Sequence, residues 1–259
     1  MSWYKEWFGE EYLELYSHRD ESEAEEHVDF VDRELGGSAC GQDRSACGQE
    51  GRPRPRAVLD LACGSGRHTA VLRRRGYRVL GIDLSLTLLA RMKARGLPPV
   101  AGDMRRLPFV DESFDWILNF FTSFGYFGRE RENFQVLEEI VRVLIPGGRF
   151  LIDLMNPGPV LANLKPRETR DLDGRRVEIE RWYDPETQRL NKRIVVNPAD
   201  SAGEHPRTFL ESVRLYRPEE VTIGLRWAGL EVDGLYGNFQ GDPYERDRER
   251  LIILGHKPA

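Results

Sequence analysis

Hydrophobic positions along this chain keep different periods in different stretches, and the changes of period mark its parts. Over residues 3–35, Trp7, Phe8, Tyr12, Leu15 and Tyr16, then Val28, Phe30, Val31 and Leu35, recur at near-helical spacing and predict one or two helices. The pattern breaks at residues 17–20, where Asp20 followed by Glu23 has the arrangement of a capping box. From residue 57 to 155 short apolar runs alternate with amphipathic ones. Strands are predicted from 57 to about 61, 77–83, 100–103, 114–121 and 149–155, and helices over 69–75, 86–95 and 129–144, the last ended by Pro146-Gly147-Gly148. After Asn156 the pattern becomes strand-rich, with strands over 176–183, 190–197 and 207–216. A helix over 218–227 closed by Gly229 follows, then strands over 230–236 and 251–255.

Strands that alternate with helices form a parallel sheet covered on both faces, and consecutive strands without helices form an antiparallel one. The fold class expected is therefore α/β, a doubly wound, mostly parallel sheet with an inserted antiparallel β-element and an N-terminal helical lid. The divisions expected are a lid over 1–35, a flexible insert over 36–56, an α/β core over 57–156, the inserted element over 157–217, and a C-terminal helix and strands over 218–259. Within the insert, Ser38-Ala39-Cys40-Gly41-Gln42-Asp43-Arg44 is repeated almost unchanged as Ser45-Ala46-Cys47-Gly48-Gln49-Glu50-Gly51, and Arg52-Pro53-Arg54-Pro55 follows. Cys40 and Cys47 lack the neighbouring ligands of a metal site, so no metal is expected.

Composition narrows the function classes. With 259 residues, 40% of them hydrophobic, the chain has enough material for one large domain. Its net charge of −5 gives no general attraction to a polyanion. No stretch approaches the roughly 18 apolar residues of a membrane span, so a cytoplasmic, soluble protein is expected, as a monomer or homodimer.

The first strand of the core carries the chemistry. Ala57-Val58-Leu59-Asp60-Leu61 runs into Gly64-x-Gly66, where glycine lets the backbone turn sharply and approach a ligand. The third glycine of a dinucleotide fingerprint is absent, its place taken by Thr69, and an acid, Asp60, stands four residues before the first glycine. In this the chain resembles the class I S-adenosylmethionine-dependent methyltransferases. The resemblance rests on Val58 to Gly66 together with Gly81-Ile82-Asp83-Leu84-Ser85, Gly102-Asp103-Met104-Arg105-Arg106-Leu107-Pro108-Phe109 and Leu144-Ile145-Pro146-Gly147-Gly148-Arg149-Phe150-Leu151.

That resemblance implies a seven-stranded sheet, S-adenosylmethionine as cofactor and S-adenosylhomocysteine as product. It implies that Asp60 and the Gly64–Gly66 backbone hold the methionine end, that Asp83 accepts bonds from both ribose hydroxyls, and that Asp103 takes the adenine amino group. Met104 and Leu84 would lie against the ring faces, Asn119 would close the methionine side, and Tyr16 and Arg19 would reach the cofactor from the lid, Arg19 pairing with the methionine carboxylate. The run after Asn119 lacks the Asn/Asp-Pro-Pro-Tyr of enzymes that methylate base amino groups, which speaks against nucleic acid. Acceptor contacts are expected from Phe124, Tyr126, Arg214, Tyr216, Tyr236 and Phe239, and a base, where one is needed, from Tyr126, Tyr236, His18 or Asp153.

The expected activity is methyl transfer to a nitrogen or oxygen of a small molecule. One alternative is a tRNA or rRNA methyltransferase, for which Arg105, Arg106, Arg129 and Arg131 form the available basic cluster. Another is a non-catalytic cofactor- or partner-binding protein, against which the acids Asp60, Asp83 and Asp103 argue.

Overall fold

A computed structural model describes residues 3–16, 21–36, 56–198 and 205–259. His18, Arg19 and the repeated segment with Cys40 and Cys47 lie outside the described residues. The chain begins with α1 (Tyr4–Trp7), α2 (Glu10–Leu15) and α3 (Glu21–Glu34). The core follows as β1 (Ala57–Leu61), α4 (Arg67–Arg74), β2 (Arg78–Asp83), α5 (Leu86–Ala94), β3 (Pro99–Ala101), β4 (Phe114–Asn119), α6 (Glu130–Val143) and β5 (Leu144–Met155). After α7 (Pro157–Ala162) come β6 (Arg167–Leu172), β7 (Arg175–Asp184), β8 (Arg189–Val196) and β9 (Arg207–Arg214), and the chain ends with α8 (Pro218–Ala228), β10 (Glu231–Tyr236) and β11 (Arg250–His256).

The core strands make a seven-stranded sheet in the order β10-β11-β5-β4-β1-β2-β3. β1 pairs in parallel with β2 and β4, and β11 is antiparallel to both of its neighbours. Every residue of β1 is buried, as a central parallel strand covered on both faces requires. One face packs Leu59, Leu61, Ile117 and Phe150 against α6 and α8; the other packs Val58, Trp116 and Leu118 against α3 and α4. The order reverses at β1, which sends β2 to one side and β4 to the other. The crevice at the carboxyl ends of these strands is where such sheets bind ligands.

A second, four-stranded antiparallel sheet, β6-β7-β8-β9, stands apart from the first. Its inner face carries Val177, Ile179, Ile194, Val196 and Phe209, packed on Trp7 and Leu15 of the N-terminal helices. The expected architecture is thus present, with local differences. The N-terminal unit divides: α1 and α2 bridge the two sheets, whereas α3 buries Val28, Phe30 and Val31 on the core sheet. Pro146-Gly147-Gly148 does not separate helix from strand, because Leu144 is already extended and β5 runs through the triplet. Backbone bonds between Gly147 and Lys257 and between Lys257 and Gly148 hold it there.

Candidate functional site

A cavity of about 310 Å³ opens at the carboxyl ends of β1, β2 and β3 and extends to the inner face of the second sheet. One side of it is built by the glycine turn. Ala62, Gly64 and Gly66 all take left-handed backbone conformations, which turn the chain from β1 into α4 within a few residues. A side chain at Gly66 would meet Met92 Cγ at 2.8 Å, so this glycine serves packing behind the turn, and its residue does not line the cavity.

Asp60 and Asp83 line the cavity, as do Gly64, Leu84, Asp103 and Met104. Asp60 is 1% exposed and accepts a 2.6 Å bond from Thr69 Oγ1. Burial pushes its carboxyl up to about 6. Asp83 uses one oxygen to accept from Gly64 N–H and the other from Ser85 N–H, each at 2.8 Å, while burial raises its pKa against those bonds. Neither acid has a Lys or Arg ion-pair partner among the described residues. Asp103 differs: although burial works against it, the Arg105 guanidinium and backbone N–H hold its carboxyl below the usual range. Arg105 contacts both of its oxygens and reaches Glu132 as well.

The N-terminal helices and the segment after β4 supply aromatic walls. Trp3 lies 4.9 Å from the Tyr126 ring, Phe8 stacks on Tyr126 at 5.8 Å, and Tyr12 lies between Phe8 (4.9 Å) and Tyr16 (5.0 Å). Ser85 Oγ donates to Phe8 C=O at 2.5 Å and ties this aromatic lid to the tip of β2. Below it, Phe121 and Thr122 both have positive φ, near 60°, a conformation non-glycine residues adopt only when held. Asp153, fully buried, holds them by accepting from Phe121 N–H at 2.8 Å and from Arg250 Nε at 2.7 Å. This is why β4 ends at Asn119 rather than at Phe121. Asn119 donates to Leu61 C=O at 2.8 Å and does not reach the cavity surface.

Several expected acceptor contacts stand elsewhere. Tyr236 donates to Glu34 at 2.8 Å and packs on Phe30, and Phe239 stacks on His27 at 3.7 Å, both on the α3 side of the core sheet. β10 is the edge strand farthest from β3, and neither Tyr236 nor Phe239 lines the cavity. Phe124 and Tyr216 are core residues 5.1 Å apart. Arg214 pairs with Glu220 at 2.7 Å; strand alternation sends Glu211 and Val213 of β9 toward the cavity and Arg214 away from it. Of the expected acceptor set, Tyr126 lines the cavity; Tyr16, expected at the cofactor, also lines it.

Residues not singled out from sequence also line the cavity, among them Trp3, Phe8, Phe121, Glu211, Arg250 and His68. His68 is buried. It shares a 3.0 Å hydrogen bond with His27 and stacks on Phe120 at 4.0 Å. Burial, with the charge of Arg67, holds both imidazoles below their ordinary range, His27 at about 3.

Two buried acids without a Lys or Arg ion-pair partner among the described residues, beside a sharp glycine turn and an aromatic wall, suit a ligand that brings an ammonium, a pair of hydroxyls and a flat ring. S-adenosylmethionine has these groups, so the donor set fits it. The family model described as "Methyltransferase domain" matches residues 59–152. Cypemycin N-terminal methyltransferase of a Streptomyces species is 31% identical over 210 residues, covering 77% of this chain and 82% of that protein. Among solved structures, an S-adenosylmethionine-dependent methyltransferase from Clostridium acetobutylicum superposes with a TM-score of 0.74 at 18% identity, covering 96% of each chain. The CcbJ methyltransferase from Streptomyces caelestis does so with 0.72 at 20% identity, over 92% of this chain and 90% of that one. Sequence relationship over most of the length, together with the strand order and the acids at the strand tips, establishes that the chain belongs to the class I S-adenosylmethionine-dependent methyltransferases.

Proposed function

We propose that this protein binds S-adenosylmethionine at Asp60, Asp83 and the glycine turn and transfers its methyl group to a nitrogen or oxygen of a small molecule. The observation that carries this reading is the single cavity that runs from those acids to Glu211 and Val213 of the second sheet. When bound, S-adenosylmethionine supplies a methyl group on a cationic sulfur, and its transfer is an in-line displacement. Asp60 would meet the ammonium of the methionine end, and each Asp83 oxygen keeps a lone pair for a ribose hydroxyl. Leu84 and Met104 offer apolar surface to the ring. Asp103 would meet the adenine amino group while keeping its Arg105 partner. Trp3, Phe8 and Tyr126 exclude water and fix the angle of approach, which is most of what methyl transfer needs.

Among the described side chains expected to act as a base, Tyr126 is the one that lines the cavity without being taken up elsewhere in the core, since Asp153 is engaged by Arg250 and Phe121 and Tyr236 lies on the α3 side. The engagement of Arg105 by Asp103 and Glu132 weakens the basic cluster an RNA substrate would need. No helix among the described residues is long and apolar enough to cross a membrane. The test is to measure S-adenosylhomocysteine release with sets of amine, hydroxyl and carboxylate metabolites and with tRNA. Turnover with a small molecule is expected; turnover with tRNA alone would overturn the reading.

The raised Asp60 carboxyl makes cofactor affinity pH-dependent. Bound ammonium favours the carboxylate, so the liganded pKa falls below the value of about 6 in the free protein. Affinity for S-adenosylhomocysteine should therefore be full above pH 6 and drop by up to about tenfold per unit below it. Calorimetric titrations near pH 5.5 in buffers of different ionisation enthalpy should register a proton released on binding. An Asp60→Asn protein should bind more weakly with a flat pH profile; an equally flat profile in the parent would contradict the assignment.

A further inference from the structure

The inner face of the second sheet is apolar where Val177, Ile179, Ile194, Val196 and Phe209 pack, and charged side chains surround that patch: Glu168 and Arg170 at the β6 edge, Arg207 at one end of β9, and a row of three on its other side. Arg181, Lys192 and Glu211 stand directly opposite one another across β7, β8 and β9. On one side lies the row Ile179–Ile194–Phe209, on the other the pair Leu190–Val213. Arg181 is satisfied by Glu168 at 2.7 Å, at the edge away from the cavity. Lys192 and Glu211 are both largely buried, with side chains 10% and 20% exposed. A charged pair in an apolar face is stabilised poorly in comparison with hydrophobic packing, so its presence calls for a role other than stability.

The pair is held in place. Trp7 Nε1 donates to Glu211 Oε1 at 2.5 Å, and Lys192 Nζ lies 3.4 Å from Oε2 while it also bonds the Tyr16 hydroxyl. Lys192 itself does not line the cavity; Glu211 does, together with Tyr12, Tyr16 and Tyr126. The lone pairs that Trp7 and the long Lys192 contact leave over are therefore presented to whatever fills the acceptor half.

We propose that Glu211 is the acceptor-recognition residue and that it selects a primary or secondary amine. This deepens the reading of the site given above and rests on it. A carboxylate only accepts hydrogen bonds, so it recognises N–H or O–H and repels another carboxylate. It is far too weak a base to ionise an alcohol, whereas a neutral amine needs no ionisation: one N–H bonds Glu211 and the lone pair stays free. That lone pair forms the N–CH3 bond as the S–CH3 bond breaks, and the S–CH3 electron pair stays on sulfur as a neutral thioether. The nitrogen becomes cationic opposite Glu211, whose charge stabilises it, and loses its extra proton to water as the product leaves. An alkylamine that arrives as its ammonium is bound by the same carboxylate through a charge-assisted hydrogen bond and gives one proton to water before its lone pair can react; Lys192 offsets part of the Glu211 charge and so eases that loss. Lys192 and Trp7 are positioning residues in this arrangement.

The test uses benzylamine, benzyl alcohol and benzoate as probes of one shape, titrated into the full-length protein saturated with S-adenosylhomocysteine and followed by ligand-observed NMR. Benzylamine is expected to bind about tenfold or more tightly than the alcohol, the range of a charge-assisted hydrogen bond, and benzoate least. Glu211→Gln should bring amine and alcohol within about twofold while leaving S-adenosylhomocysteine binding in place. Equal or tighter binding of alcohol or benzoate by the parent, no amine binding at millimolar concentration, or an undiminished preference in the glutamine variant would overturn the proposal. The parent comparison decides by itself if that variant does not fold. Failure of the parent to bind S-adenosylhomocysteine would instead refute the cofactor reading.

Discussion

An Asp83→Ala protein should lose S-adenosylhomocysteine binding by about a hundredfold or more, the largest effect expected of any single substitution at the cofactor end. The carboxylate performs two tasks at once. Toward the protein it bonds Gly64 N–H and Ser85 N–H, closing the turn after β1 onto the tip of β2. Toward the ligand each oxygen keeps an accepting position for a ribose hydroxyl, under the proposed mode of binding. Hydrogen bonds to a charged group contribute about 1.5–3 kcal/mol each, and two lost together exceed the roughly 2.7 kcal/mol of a hundredfold change. Ser85 also anchors Phe8, so a displaced β2 tip would loosen the aromatic lid as well. Calorimetric titration is the measurement, with circular dichroism to check the fold; affinity retained within tenfold would contradict the role given to Asp83.

Arg250→Ala is expected to destabilise the protein by about 3 kcal/mol, because it leaves a carboxylate with 0% exposure and no countercharge. Arg250 contacts Asp153 through Nε at 2.7 Å and Nη2 at 2.5 Å, yet burial still raises the Asp153 pKa. Without the guanidinium that pKa must rise further. A group whose folded pKa is raised is least costly when protonated, so the variant's deficit should be largest above neutrality and should shrink as pH falls toward about 5. Urea unfolding at the two extremes measures this. A deficit below about 1 kcal/mol, or one that grows on acidification, would refute it. The same substitution should disturb the cavity floor, since Asp153 is what holds Phe121 and Thr122 in their left-handed conformations.

The core of this fold is legible because its signals are local. Parallel strands buried on both faces read as apolar runs, the glycine turn follows one of them, and Asp60 and Asp83 are placed by their distance from the strand ends. Signals that depend on the other side of the molecule are not legible in the same way. β6, Arg-Glu-Thr-Arg-Asp-Leu, has no apolar alternation; it is an edge strand held by pairs such as Glu168 with Arg181, and its residues give no hint of that partner. Tyr236 and Phe239 look like ligand contacts in the sequence because aromatics at strand ends often are, but the place of β10 at the sheet edge decides otherwise. The His27–His68 contact joins residues 41 apart and needs the packing of α3 on α4 to appear.

Glu211 is a different case, for its signal was present. Phe209-x-Glu211-x-Val213 and Leu190-x-Lys192-x-Ile194 each put a charge in phase with apolar residues, all but Leu190 buried, and the two strands are neighbours. A lone charge in one strand is easily taken for a solvated position. Two opposite charges in phase on consecutive strands mark a buried pair, provided the register of the hairpin is known.

The separateness of the two sheets has a consequence for how such a protein can change over generations. Among the described residues no strand of one sheet pairs with a strand of the other; they meet through α1, α2 and the segment after β4. Substitutions at positions 192, 211 and 213 alter the roof without touching the strand tips, and α1 and α2 can be reshaped against either side. Under the proposed mode of binding, lineages built on this plan can therefore exchange one acceptor for another through a few positions of the roof while the floor is inherited unchanged.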